Sequence, residues 1–215
     1  MLTALMAVTF TANTAVSVYA TGVTATENAQ TIDAQSTDAQ ALTPEEQKAQ
    51  ELQQVYDMPV ESNGYKDWPQ GPGTYGEAGI VMEVGTGAIL YAKNIDAHEY
   101  PASITKVLTA LVALENGQLT DNVTFSHDSV AFLQRGDSSV GLKEGNVITL
   151  NQAMHAMLLA SANEAAYAIG ESVGVNAGHD YNWFIEQMNS RCKELGGENS
   201  NFANTNGLHD PNHYT

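Results

Sequence analysis

Pro101-Ala102-Ser103-Ile104-Thr105-Lys106-Val107-Leu108-Thr109-Ala110-Leu111-Val112-Ala113-Leu114-Glu115-Asn116-Gly117 decides the reading of this chain. The apolar positions Ile104, Val107, Leu108, Leu111, Val112 and Leu114 recur at helical spacing behind a proline, and Asn116-Gly117 closes the run. A helix packed along that stripe is expected. Ser103 falls at its start and Lys106 one turn on, which puts a hydroxyl and an amine on one face. A serine hydroxyl is a poor nucleophile at neutral pH, and an amine can take its proton only if burial or neighbouring cations keep it neutral. Backbone N–H groups left free at a helix start can help hold the oxyanion of a tetrahedral intermediate.

Spacing by itself does not make this a site. Ser190-Arg191-Cys192-Lys193 has the same spacing in the middle of an amphipathic helix expected from Tyr181 to Leu195, and there it reads as surface decoration. Alone, Ser103 would read better as a helix cap followed by an exposed lysine. Ser161-Ala162-Asn163 changes that balance. It is the sole Ser-x-Asn in the chain, lies between helices expected over Asn151–Leu159 and Glu164–Gly170, and has small neighbours that would let a substrate approach. A second hydroxyl and a carboxamide there could pass a proton to a leaving group and orient an amide, although a C-cap followed by an N-cap would give the same residues.

Upstream, Ala78–Glu83 and Ala88–Ala92 flank Gly85-Thr86-Gly87 as an antiparallel hairpin. Asn63-Gly64 and Pro69-Gln70-Gly71-Pro72-Gly73 are turn chemistry and mark a domain boundary. Thr43-Pro44-Glu45-Glu46 carries a capping hydroxyl, a first-turn proline and a glutamate three residues past the cap, so a short helix should run to about Val55. Residues 21–41 hold almost no large apolar side chain and read as linker. Leu2–Val8 is mostly apolar and Val18-Tyr19-Ala20 resembles a secretory cleavage site, yet no Lys or Arg precedes Lys48. Downstream, residues 199–215 are polar, Asn-rich and irregular.

The 215 residues carry 25 acidic and 8 basic side chains, a formal charge of −17, which argues against a nucleic-acid partner or a polybasic membrane patch. Cys192 is the single cysteine, so there is no internal disulfide, and it reads as helix packing. His209 and His213 stand four apart in a segment rich in Asp, Pro and Asn that is not expected to be helical, so they need not share a face and no metal site is assigned. His155 reads as a histidine packed on an apolar helix face, and Trp68, Trp183 and the methionines as packing residues.

Together Ser103-x-x-Lys106 and Ser161-x-Asn163 resemble the first two motifs of the penicillin-recognising serine enzymes. The wider context is similar to the low-molecular-weight D-alanyl-D-alanine carboxypeptidases. It includes the Thr-Gly hairpin Gly85–Asn94, Pro101–Lys106, Leu158–Ala166 and Phe202–Leu208 followed by His213-Tyr214-Thr215, with Thr205 standing where that family usually has proline. The resemblance covers roughly 77–215 and implies an α/β fold of the β-lactamase/transpeptidase-like type. This chain would supply the helical lobe and the first strands of an antiparallel sheet. It implies that Ser103 attacks the carbonyl between the terminal D-alanines of a peptidoglycan stem peptide. Lys106 would be the base, Ser161 would relay the proton to the departing D-alanine, and Asn163 would hold the substrate backbone and the lysine. β-Lactams would acylate the same serine, no cofactor or metal would be needed, and the enzyme would act outside the cytoplasm, with peripheral membrane attachment through a segment after Thr215.

The family's third motif, Lys-Thr-Gly or Lys-Ser-Gly, does not occur in these residues. The expected organisation is a truncated signal peptide over 1–20, a linker with a short helix over 21–70, and the N-terminal portion of the catalytic domain over 71–215. An unfinished sheet would leave the chain poorly soluble or loosely packed. A class A β-lactamase would need a Glu-x-x-x-Asn loop after Asn163, and Glu164, Glu171, Glu186, Glu194 and Glu198 all lack the asparagine. A non-catalytic peptidoglycan-binding or sporulation module is the alternative from a different class.

Overall fold

The computed structural model describes residues 42–215 together with the backbone of Leu5–Met6. The expected signal segment and most of the expected linker lie outside the described residues. Helix α1, Pro44–Tyr56, begins on a reciprocal cap, with the Glu46 N–H donating to the Thr43 hydroxyl and the Thr43 N–H to the Glu46 carboxylate. It buries no side chain. Leu5–Met6 (β1), Gly79–Met82 (β2) and Ile89–Lys93 (β3) form an antiparallel sheet in the order β1-β2-β3, with a register slip between Val81 and Met82. The Glu83 carboxylate closes the β2–β3 turn by accepting the N–H groups of Gly85 and Thr86 and the Thr86 hydroxyl.

The hairpin is fixed more by polar anchors than by a core. Lys93 is fully buried and donates from Nζ to the carbonyls of Val55, Thr74 and Gly76 at 2.6, 2.6 and 2.9 Å. Its stem therefore ties α1 and the 74–76 turn to β3. The Trp68 indole N–H donates to the Leu90 carbonyl, and the Ser62 hydroxyl accepts the Ala92 N–H.

The apolar core lies in the helical part, among α2 (Thr105–Asn116), α3 (His127–Ala131), α4 (Leu150–Leu159), α5 (Asn163–Asn176) and α6 (Tyr181–Glu194), closed by the short hairpin β4 (Asn122–Thr124) and β5 (Val147–Thr149). Helix α5 is the central element, burying Ala165, Ala166, Ala168, Ile169 and Val173. It continues past Gly170, where the sequence suggested a stop, because this glycine is a packing residue. A Cβ there would sit 2.8 Å from Thr205 Cγ2 and 3.1 Å from Tyr181 Cε2, and one on Gly174 would lie 2.3 Å from the Asp180 carbonyl oxygen. Small residues let the 205 region and α6 approach α5 at the cost of helix propensity, about 1 kcal/mol per glycine.

His155 is exposed on α4, its Nδ1 2.8 Å from the Asn151 carbonyl, because the buried face of α4 is carried by Leu150, Ala153, Met154 and Met157. The stripe of α2 is also rotated from expectation. Val112 is buried, but Val107 and Leu114 are 57% and 50% exposed, while Thr105, Lys106, Thr109, Ala110 and Ala113 face inward. A helix that buries two threonines and a lysine in place of two aliphatic residues must pair each polar group. Those pairs converge on one place.

Candidate active site

Three pieces of chain meet at the start of α2. The first is the turn Ala102–Ile104, a short 3₁₀ segment that carries Ser103 ahead of the α-helix and not in its first turn. The second is the break between α4 and α5, which carries Ser161, together with Asn163 at the start of α5. The third, absent from the sequence-based site, is a strap over 201–215. It has little regular structure but is closely bonded: Asn204 Oδ1 accepts from the N–H groups of Asn206 and Gly207, and Asn204 Nδ2 donates to the Leu208 carbonyl. Asparagines suit such a path because their side chains replace backbone partners that a helix or sheet would supply.

Lys106 is 2% exposed and its Nζ lies 3.1 Å from Ser103 Oγ, 2.8 Å from Asn163 Oδ1 and 2.7 Å from the Asn206 carbonyl oxygen. Ser161 Oγ is 3.0 Å from Ser103 Oγ and donates to it. All four side chains singled out from the sequence, Ser103, Lys106, Ser161 and Asn163, thus stand in one hydrogen-bonded chain. The geometry also says where a proton can go. The Asn163 oxygen and the Asn206 carbonyl can only accept. A neutral Lys106 amine must spend its two hydrogens on them, which leaves its lone pair facing the Ser103 hydroxyl. Burial lowers the Lys106 pKa to about 8 against an opposing effect of the Glu164 carboxylate, so the neutral form is accessible near physiological pH.

Two of the five described non-glycine residues with positive φ lie here, and they are the two that are neither Asp nor Asn. Ala102 and Ser161, neither of them glycine, have φ of +48° and +55°. Gly207, at φ +80°, lies against the nucleophile turn so closely that a Cβ would fall 1.8 Å from the Ala102 carbonyl oxygen. The strap is therefore seated on the Ser103 turn by a contact that only glycine allows.

A second set of bonds clamps strap to helix. The Ala203 N–H donates to His213 Nδ1, so Nε2 carries the ring proton and donates to Thr105 Oγ1 at 2.7 Å. Burial lowers the His213 pKa, which favours this neutral ring. Thr109 Oγ1 donates to the Thr205 carbonyl, and the Thr205 N–H donates to the Tyr181 hydroxyl at 3.1 Å. A proline at 205 could not make that last bond. Burial raises the Tyr181 pKa to about 12, so the phenol stays protonated. Asn206, His213 and Glu164 lie in stretches that carry the resemblance, but the sequence alone assigns them no role at the site, because one acts through a backbone carbonyl and the others through tertiary contacts.

A cleft of about 420 Å³ opens over Ser103, lined by Tyr100, Ser138, Asn163, Asn206, Gly207 and His209 among others. A larger hollow of about 740 Å³, bordered by Ile80, Ile104, Gly197 and Thr215, contains none of the four motif side chains. The smaller one is the candidate site. His209 stacks edge-on to Tyr100 and His213 packs against Phe202, so the two rings turn to different partners. Among the described residues no group of three or more His, Cys, Asp or Glu side chains is placed to hold a metal. Ser190 and Lys193 are exposed on α6, and Cys192 is half-buried with Sγ 4.0 Å from the Gly197 carbonyl.

Residues 69–215 match the family described as D-alanyl-D-alanine carboxypeptidase. Among curated proteins, the D-alanyl-D-alanine carboxypeptidase DacF of Bacillus subtilis is 32% identical over 144 residues, 65% of this chain and 35% of that protein. DacB2 of Mycobacterium tuberculosis, of the same description, is 31% identical over 155 residues, 72% of this chain and 50% of that protein. The crystal structure of penicillin binding protein 5 from Haemophilus influenzae superimposes with a TM-score of 0.60 at 30% identity, covering 68% of this chain and 43% of that one. The Streptomyces K15 DD-transpeptidase does so with a TM-score of 0.57 at 29% identity, covering 63% and 54%. The chain thus spans between about a third and a half of the curated relatives it matches.

Proposed function

Because this chain belongs to the D-alanyl-D-alanine carboxypeptidase family, we propose that it is the part of a serine carboxypeptidase that carries the nucleophile and base, acting on peptidoglycan stem peptides outside the cytoplasm and acylated by β-lactams. Ser103 Oγ adds to the carbonyl carbon of the penultimate D-alanine while its proton passes to Lys106 Nζ. The tetrahedral intermediate collapses with cleavage of the C–N bond. Ser161 hands its proton to the departing amine and is reprotonated by the Lys106 ammonium, which returns Lys106 to the neutral amine, and terminal D-alanine leaves. Water then attacks the ester, with the base returning to its starting form, and Ser103 is regenerated. Asn163 holds both Lys106 and the substrate backbone.

One observation carries this reading: two obligate acceptors take the hydrogens of the Lys106 amine and aim its lone pair at Ser103. The D-alanyl-D-alanine carboxypeptidases that the chain resembles supply the substrate class. The test is exposure of the folded chain to benzylpenicillin, followed by intact mass and peptide mapping. One covalent addition on Ser103, missing in Ser103→Ala, is expected. A folded chain that acquires no addition overturns the reading.

A further inference from the structure

Glu164 is fully buried in the first turn of α5, directly after Asn163. Its Oε1 accepts three hydrogen bonds: Ser139 Oγ at 2.7 Å, the Val140 N–H at 2.8 Å and the Gly141 N–H at 3.1 Å. The Asn163 N–H donates to the Ser138 carbonyl at 2.9 Å. Two consecutive residues of α5 therefore grip four consecutive residues of the 138–141 loop, and the same stretch, through Gly136, Asp137 and Ser138, forms the cleft wall facing Asn206–His209. The other carboxylate oxygen, Oε2, is buried with no hydrogen-bond partner among the described residues.

A buried carboxylate with one oxygen unpaired costs free energy unless a positive charge compensates it. We propose that Glu164 is a positioning residue that locks the 136–141 loop in place as one wall of the substrate cleft and sets a buried negative charge directly after Asn163, the residue that holds Lys106. The proposal rests on reading Ser103 and Lys106 as nucleophile and base. The Glu164 charge favours the ammonium of Lys106 both at rest and after Lys106 has taken the Ser103 proton, so it sets the pH at which Lys106 becomes a free base. The titratable groups that line the cleft are Tyr100 ahead of the turn, Asp137 on the loop, and His209 and His213 on the strap, with Glu164 buried on α5; Tyr167 and Glu171 on α5, Tyr181 on α6, and Asp210 and Tyr214 on the strap lie on the same packed elements. Burial dominates the proton affinity of Lys106, and the charge that opposes it is that of Glu164.

Two readouts test this without turnover. In Glu164→Gln the amide oxygen can still accept from Val140 and Gly141 while the charge is gone. NMR titration of the Lys106 side chain should then show its midpoint moved to lower pH, a proton affinity weaker by on the order of tenfold. In Glu164→Ala the amides of Val140 and Gly141 should exchange at least about tenfold faster, with those of α6 unchanged. An unmoved Lys106 midpoint in the glutamine variant overturns the charge role, and unchanged exchange at Val140 and Gly141 in the alanine variant overturns the loop role. If the alanine variant does not fold, the glutamine variant decides. Penicillin labelling of the parent separates the two levels. No label on Ser103 with the Lys106 shift present refutes the enzyme reading and leaves the coupling. Normal labelling with no shift refutes the coupling alone.

Discussion

Ser103–Lys106 and Ser190–Lys193 share one spacing in one molecule and have opposite surroundings. Lys106 is buried with three oxygen neighbours drawn from a preceding turn, a second helix and the strap, whereas Lys193 is exposed in the last turn of α6 with Ser190 exposed one turn earlier. The residue types and their separation are the same, so the difference arises from what is folded on top. A helix turn can bring a hydroxyl and an amine together. Only tertiary contacts can desolvate the amine and occupy its hydrogens.

The sharpest way to break this contrast is to remove each lysine in turn. Lys106→Ala is expected to slow penicillin acylation of Ser103 by about 10²- to 10⁴-fold, the usual contribution of a positioned base, as read by fluorescent-penicillin labelling over time. Next in size is Gly207→Ala. Its Cβ cannot coexist with the Ala102 carbonyl, so the strap must lift from the nucleophile turn. Urea unfolding should show a loss of roughly 2 to 3 kcal/mol, accompanied by slower labelling. Full labelling at unchanged stability would mean that the strap does not hold the catalytic turn. Thr205→Val keeps the branched shape and removes the hydroxyl beside Tyr181. It should cost about 1 kcal/mol in the same unfolding experiment, with labelling kept. Smallest of all, Lys193→Ala should leave labelling and stability unchanged, within about 0.5 kcal/mol for the latter.

Much of the frame was legible because it is local. The Thr43–Glu46 cap, the hairpin around Gly85–Gly87 and the limits of α2 and α6 depend on near neighbours in sequence, and each is found at or within a residue or two of its expected place. What failed depended on tertiary partners. Gly170 resembled a terminator because a glycine in a helix has the same local preference whether it ends the helix or accommodates Tyr181 and Thr205. The polar inward face of α2 reversed part of the apolar stripe, since Thr105 and Thr109 bond to His213 and to the Thr205 carbonyl on the strap. Thr149-x-x-Gln152 is a reciprocal helix cap that a closer reading of α4 could have found. Asn206 could not be found that way, because its contribution to Lys106 is a backbone carbonyl and no residue type encodes it.

The strap also explains how an irregular segment can be a rigid part of a site. Its ends are pinned by the paired backbone bonds of Asn201 with Tyr214 and of Glu99 with Thr215, and its middle is held by Asn204 and by the buried His213 ring. Protonation of His213 would remove the acceptor for the Ala203 N–H. Burial holds its pKa below the usual imidazole range, so the unfolded chain takes up protons before the folded one does. The stability contributed by the neutral ring is therefore present above the unfolded pKa and is lost as pH falls through the lower folded value.

The most direct test is the pH dependence of Ser103 acylation. Initial rates of penicillin labelling between pH 6 and 9.5 should rise as Lys106 loses its proton, with a midpoint near about 8, and the same profile should persist in Lys193→Ala. A rate independent of pH across that range, or a profile that moves when Lys193 is removed, would contradict the assignment of Lys106 as the base for Ser103.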